Sequence, residues 1–404
     1  MSFPIDAVRA RFPALNHRAF FDAPGGTQVC APAIERMAEQ LRAGTANSGG
    51  AFATSQAVDR LSEDAHAAMA DLLGGRSEEI AFGPNMTSLT FAVSRALARG
   101  WLAGDNLVVT RLDHDANVAP WLAVAADRGV EVRWLDFDPA NGRLKLDELS
   151  GLLNARTRLV AVGAASNALG TLNDIAAITA AVRAHSSALV YVDAVQSVPH
   201  VPTDVAALGC DFLACSPYKF FGPHQGVLWG RAELLERVEA YKVRPAGIEG
   251  AHRFETGTPS FEGQAGVLGT IEYLEWLGGE VDSHANSRRA RLLAAMRASA
   301  DYERGLGDRL LAGLARIEGL KLFGPPDMNA RVPTFAFTLA GHHPDAVAAH
   351  LAAHDIFAWS GHFYAVEVIR RLGLEDAGGL VRVGLCHYST ADEVDRLIAA
   401  LKEL

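Results

Sequence analysis

The chain has 404 residues, 49% of them hydrophobic and 21% charged, with 37 Lys+Arg against 47 Asp+Glu and a net charge of −10. That is ample apolar material for a sizeable core in about two domains, and the acidic balance excludes a nucleic-acid or anionic-membrane surface as the main partner. No apolar run approaches the ~18 residues that span a bilayer, the first residues have no signal-peptide core, and Cys30, Cys210, Cys215 and Cys386 show no CxxC spacing, so a cytoplasmic protein without disulfides or a metal site is expected.

In chain order, Ile5, Val8, Phe12 and Leu15 lie at helical spacing and predict a short amphipathic helix over residues 2–15. A Gly/Pro turn follows at 22–26, then a helix over 32–43 with proline at its start. The polar stretch 44–55 reads as a functional loop. From residue 59 helices (59–73, 87–97, 118–128) alternate with short apolar strands (79–83, 106–110, 131–135). Further strands are expected at 159–164, 189–193, 212–216 and 226–229, with a crossover helix over 175–185. This alternation means a largely parallel α/β sheet. After about residue 262 the rhythm changes. A helical tract from 264, broken at Gly278-Gly279, runs on to 314. Strands at 321–323 and 334–339, a helix over 344–354, a loop, a strand over 379–386 and a helix over 390–401 complete a smaller α+β domain.

Two segments carry chemistry. In VYVDAVQSVP (190–199) an aspartate, Asp193, ends an apolar strand where parallel sheets place their ligands, although alone it could equally cap the next helix. In FLACSPYKFFGPHQGVLW (212–229) Lys219 follows a strand inside an aromatic, Gly/Pro-punctuated turn. Partial burial there would lower its pKa and free the amine for a Schiff base, whereas the ordinary fate of a lysine is to snorkel at the surface. Together the two residues supply the imine lysine and the ring-nitrogen carboxylate that pyridoxal phosphate (PLP) chemistry requires.

DAVQSVPH followed by SPYKFFGPHQGVLWG resembles the class V aminotransferase family, which includes cysteine desulfurases and selenocysteine lyases, and the resemblance covers nearly the whole chain. It implies the PLP-dependent transferase fold type I. An N-terminal segment (1–20) would pack with the small domain, a large PLP-binding domain (21–262) would hold a mostly parallel seven-stranded sheet, and a small C-terminal α+β domain would span 263–404. The resemblance implies pyridoxal 5'-phosphate as cofactor, Lys219 as the imine lysine, Asp193 as partner of the pyridinium nitrogen and Gln196 as donor to the ring hydroxyl. His114, in RLDHDANVAPW (111–121), would stack on the cofactor ring, and Asn167, in SNALGTLN (166–173), would lie near the ring hydroxyl and substrate. Met86 and Thr87, in FGPNMTSLT (82–90), would start a helix that holds the phosphate, with Ser216 and Tyr218 completing the cup. Tyr218 stands where desulfurases commonly have histidine. Thr258, in FETGTP (254–259), matches a loop that reaches the phosphate of a neighbouring subunit, which implies a homodimer. Arg382 matches the arginine that clamps the substrate carboxylate; the alternative for a strand arginine is an internal ion pair.

One departure bears on the subtype. Desulfurases attack sulfur with a cysteine on a small-domain loop. The corresponding stretch WSGHFYAV (359–366) keeps the Gly-His pair but carries Tyr364 at the cysteine position. Cys386 would share a strand face with Arg382, though a small buried hydrophobe is its commoner role. The expectation is a PLP enzyme acting on an amino acid or related amine, a desulfurase-like lyase or aminotransferase without the persulfide cysteine. An isopenicillin-epimerase-like racemase and a non-catalytic descendant are the alternatives, and a nicotinamide dehydrogenase is excluded because no GxGxxG follows the early strands.

Overall fold

Short runs of Val, Leu, Ile and Phe form the strands that organise the molecule, and the computed structural model describes residues 3–404. Seven strands, β1 (Ile80–Gly83), β2 (Asn106–Thr110), β3 (Glu131–Leu135), β4 (Thr157–Gly163), β5 (Leu189–Asp193), β6 (Phe212–Cys215) and β7 (Gly226–Gly230), make one sheet in the order β1-β7-β6-β5-β4-β2-β3. The central strands are buried on both faces, which is why they read as continuous apolar runs. The edge strand β3 carries Glu131 and Arg133 towards solvent, as an unpaired edge should. Strands β3, β2, β4, β5 and β6 are parallel, whereas β7 runs antiparallel to β6 and to β1. The crossover helix spans Ile175–His185 between β4 and β5. Parallel pairing of β4, β5 and β6 brings Gly163, Asp193 and Cys215 to one edge of the sheet, and the turns that follow these strands hold the site residues.

The second sheet is antiparallel, in the order β8 (Leu320–Phe323), β9 (Thr334–Leu339), β11 (Leu380–Gly384) and β10 (Trp359–Gly361). Ala19 and Phe20 pair in parallel with Ile356 and Phe357, and the Gly384 amide donates to the Phe21 carbonyl (2.8 Å). The chain is thereby anchored on the small sheet just before the Asp22–Gly26 turn enters the site.

Several predicted elements differ. The first helix spans only Ile5–Arg9, because Pro13 cannot donate to the Arg9 carbonyl and its ring would clash there; Ser2, where that prediction began, lies outside the described residues. The helix predicted from 59 starts at Ala53 and takes in the end of the proposed polar loop. Gly278 and Gly279 do not break a helix. They lie inside α1 (Phe261–Val281), and the chain turns at 282–287 before α2 (Arg288–Leu314). A Cβ on Gly278 would overlap the backbone of Arg291, so this glycine allows the two helices to approach closely. The segment predicted as a loop after residue 354 contains β10 and a helix, Val366–Leu372. The last strand ends at Gly384, so Cys386 lies beyond it and does not share a strand face with Arg382. The closing helix is capped by Thr390 in a reciprocal box with Glu393. Among the described residues no helix is long and apolar enough to cross a membrane.

Candidate active site

Lys219 ends a single 3-10 turn, Pro217–Lys219, that follows β6 and holds the side chain inside the protein. Its Nζ donates to the carbonyl oxygens of Pro24 (2.6 Å) and Gly25 (3.0 Å), both neutral acceptors. Burial, reinforced by the positive Arg382 and only partly opposed by Asp193, pushes the ammonium down to about 7. Asp193, the last residue of β5, is also buried, and its Oδ1 accepts from the Val195 amide (2.9 Å). Burial raises its carboxyl to about 6 against the pull of that amide and of Lys219. Gln196 donates through Nε2 to the same Pro24 carbonyl (2.7 Å) that receives Lys219.

His114 follows β2. The Ala116 amide donates to its Nδ1 (2.9 Å), which makes Nδ1 the lone-pair nitrogen. Burial, with the nearby Lys219 and Arg382 charges, pushes its pKa down to about 4, so the ring is neutral at physiological pH. The preceding Asp113 fastens this turn to the sheet. It accepts from Thr110 Oγ1 (2.7 Å), the Gly163 amide (3.0 Å) and Asn117 Nδ2 (2.7 Å), and burial holds its carboxyl up at about 7. Sequence reasoning missed this role, because nothing in a short RLDHD run reports a bond from β2 to β4.

After β1 the chain turns through Gly83-Pro84 into the helix Met86–Leu97, N-capped by Asn85, whose Oδ1 accepts from Ser88 (2.8 Å). The Met86 amide donates to Ser216 Oγ (3.2 Å), which ties the helix start to the end of β6. The helix N-terminus thus opens beside Ser216 and Tyr218, a setting that favours an anion. Tyr218 stacks on His224 with centroids 4.8 Å apart.

Met86, Thr87, His114, Asn167, Asp193, Gln196, Ser216, Tyr218 and Lys219 line one cavity. Arg382 and Tyr364 line the adjoining mouth, which shares His114, Asn167 and Lys219 with that cavity. Thr258 is not brought to either space; it lies with Gly83, Pro84 and Gln225 on a separate cleft. Arg382, buried in β11, donates through Nη1 to the Asn167 carbonyl (2.9 Å) and stacks its guanidinium on Phe363 (4.3 Å). Among the described residues its Nε has no partner and it makes no ion pair within 4.0 Å; the half-buried Asp22 is the carboxylate that acts on it through space. The internal ion pair considered for this arginine is therefore not formed.

Asn167 spends its Nδ2 on the Phe363 carbonyl (2.7 Å) and leaves a buried, unpartnered Oδ1. Tyr364 is 66% exposed and stacks over His114 with centroids 5.5 Å apart and planes at 23°. Its ring therefore lies outside the core. All four cysteines are buried and free, and none lines the cavity or its mouth. Burial pushes Cys30 up to about 11 and Cys210 up to about 12, and raises Cys215 and Cys386 as well. Away from the site, His66, His252 and Glu255 form a close donor cluster, in which Glu255 accepts from both imidazoles and from the Phe82 amide.

These residues fit PLP. Among the described residues the lysine donates hydrogen bonds only to carbonyl groups, a buried carboxylate faces the same cavity, a helix N-terminus offers an anion site, and a neutral imidazole and an orphaned amide oxygen line the space between.

Comparison with known proteins agrees. The chain is 32% identical over 426 residues to a cysteine desulfurase of Serratia proteamaculans, with 100% of this chain and 99% of the relative covered. It is 33% identical to one of Klebsiella pneumoniae with the same coverage. Among solved structures it superposes on the apo cysteine desulfurase of Thermococcus onnurineus NA1 with a TM-score of 0.89 at 28% identity, covering 100% of this chain and 98% of that one. A cysteine desulfurase from Escherichia coli in its S-sulfonic acid form gives 0.86 at 26% identity, with the same coverage. The Aminotransferase class-V family model matches residues 19–397, and the chain belongs to this family of PLP-dependent enzymes of fold type I.

Proposed function

We propose that this enzyme acts on an amino acid or a related amine as a lyase or aminotransferase, and that it does so without the enzyme-bound persulfide of a desulfurase. The observation that carries the reading is the pairing, across one continuous cavity, of a lysine amine poised near neutrality with a buried guanidinium that has no carboxylate partner. Bound PLP supplies an electron sink for a bond broken at the substrate Cα. Met86, Thr87, Ser216 and Tyr218 would hold its phosphate, Asp193 the proton on its ring nitrogen, Gln196 and Asn167 its ring hydroxyl, and His114 one face of its ring. Arg382 would receive the substrate carboxylate through its free edge, which fixes Cα near Lys219. With its amine pushed down towards neutrality by burial, Lys219 Nζ can take the Cα proton and return it.

A persulfide needs a thiolate at the mouth. The mouth instead holds Tyr364, and the four cysteines are buried with thiols pushed well up. These facts support a route in which no sulfur is carried on the enzyme. Thr258 lies outside its own chain's cavity, so its phosphate role requires a second copy, and we take the working form to be a homodimer. Reduced, unpaired cysteines suit the cytosol.

Borohydride treatment of the coloured holoenzyme should attach the cofactor to the peptide bearing Lys219, and attachment elsewhere overturns the site. With labelled cysteine no protein cysteine should acquire sulfur; label on Cys386 or any other thiol overturns the subtype. Light scattering of the holoenzyme should give a dimer, and a monomer that keeps PLP removes Thr258 from the site.

A further inference from the structure

The mouth of the site spends strain and exposed surface on aromatic rings, and that composition bears on which substrate enters. Trp359 on β10 sits directly opposite Arg382 on β11. Opposed residues of antiparallel strands point to the same face with Cβ atoms roughly 5 Å apart. A carboxylate on Arg382 therefore lies beside the indole. Trp359 is 54% exposed yet seated against the turn that accepts Lys219, since a Cβ on Gly25 would collide with its Nε1. Phe91, on the helix Met86–Leu97, and Tyr364 are 36% and 66% exposed and close the same mouth.

Tyr364 is held there against its backbone preference. Phe363 and Tyr364 are consecutive non-glycine residues at φ 55° and 57°, a conformation that costs about 1–3 kcal/mol at each residue and persists only where the surroundings impose it. Here the large domain imposes it. Asn167 donates to the Phe363 carbonyl and the Asp115 amide to the Tyr364 carbonyl, both at 2.7 Å. A fold that tolerates this to keep a phenol exposed over its cavity is using the ring.

The charges at the mouth narrow the choice further. Among the described residues its only lysine and arginine are Lys219 and Arg382, and Arg382 would be taken by the α-carboxylate. Apart from the imidazoles of His114 and His362, the described lining offers no further basic side chain to a side-chain carboxylate, and Asp115 on the rim would repel one.

We propose that the substrate is an amino acid with a bulky, uncharged side chain, aromatic or large aliphatic, packed against Trp359, Phe91 and Tyr364. This rests on the amino-acid reading above. Binding of L-phenylalanine, L-leucine, L-alanine, L-cysteine and L-aspartate to the holoenzyme, read by calorimetry and by change in cofactor absorbance, tests it. Phenylalanine or leucine should bind at least ~10-fold more tightly than alanine or cysteine, as burial of several methylene equivalents predicts, and aspartate should bind worst. Trp359→Ala should reduce the phenylalanine-to-alanine ratio towards unity, and Trp359→Phe should restore most of it. Phe91→Ala, a substitution on an exposed helix face, should lower the ratio as well and gives the same readout should the tryptophan variant misfold. Preference for alanine, cysteine or aspartate overturns the inference and leaves the amino-acid reading standing. Silence from all five overturns both.

Discussion

The amine of Lys219 should titrate far below an ordinary lysine. The structure places it where burial outweighs every other influence, with Arg382 adding repulsion and Asp193 giving back part of the loss, and the balance lies near 7 rather than 10.5. At pH 7 about half of such amines are neutral, against roughly 0.03% for an unperturbed lysine, an advantage of ~1000-fold in reactive form. Reductive methylation of the cofactor-free protein, pulsed between pH 6 and pH 10 and read by mass spectrometry, measures this directly, with exposed Lys402 as the internal reference. The Lys219 midpoint should fall near 7, well below the range of an ordinary exposed lysine. The two charges should move it in opposite directions. Arg382→Gln removes the repulsion and should raise the midpoint, and Asp193→Asn removes the counter-charge and should lower it. A Lys219 midpoint near 10, or the same direction of shift in both variants, refutes the electrostatic account of the site.

Two further outcomes follow from packing and from the loop. Gly278→Ala should lower the melting temperature by several degrees in a calorimetric scan, because the new methyl overlaps the Arg291 backbone where α1 and α2 touch, and overpacking of this kind costs about 1–3 kcal/mol. Asn167→Ala removes the donor that holds the Phe363 carbonyl; amide exchange across residues 361–366 should accelerate at least ~5-fold, consistent with about 1 kcal/mol for a lost hydrogen bond, while exchange in β5 stays unchanged.

How much of this was legible in the sequence depends on how local the information is. Asp193 and Lys219 could be placed because a carboxylate or an amine at the end of an apolar run is a local pattern, and a parallel sheet turns strand ends into one edge. Ser216 could be noted at a strand end by the same locality, whereas His114 and the helix start at Met86 were singled out only through the family resemblance. What sequence patterns do not carry is register and approach. The carbonyls that receive Lys219 lie in a turn at 24–25, nearly two hundred residues earlier. The pairing of Trp359 with Arg382 is fixed by the β10–β11 ladder, and the segment holding Trp359 looked like a loop because β10 is only three residues long. Strand direction is equally silent in an apolar run, so the reversed β7 was not foreseen. Gly278 was misread because a glycine pair looks the same whether it ends a helix or admits a neighbour. Thr258 has no local structural meaning in one chain, since its proposed contact belongs to a second copy.

The electrostatics of the site also predict that it weakens the fold. Asp193 has a carboxyl raised to about 6 from 3.8, chiefly by burial. Between those values the native state binds more protons than the unfolded chain, so stability is regained as pH falls through 6 towards 3.8 and is least helped above 6. At pH 8 the ionised carboxylate therefore costs the cofactor-free protein up to ~3 kcal/mol, from about two pKa shifts of 1.36 kcal/mol each. Asp193→Asn keeps an oxygen for the Val195 amide and removes the buried charge, so the cofactor-free variant should melt at least ~2 °C higher at pH 8, with the gain shrinking towards pH 4. Asp211 is the contrast. It is equally buried, but it accepts from the Val190 amide (2.7 Å) and pairs with Arg183 (2.5 Å) and Arg231 (3.3 Å). Asp211→Asn breaks a charge-paired network and should lower the melting temperature. Opposite signs at two buried aspartates would mark Asp193 as held for chemistry at the expense of stability. A lower melting temperature for Asp193→Asn at pH 8, with an unchanged pH profile between 4 and 6, would show that its charge is already compensated in the free protein and would remove that argument for its role.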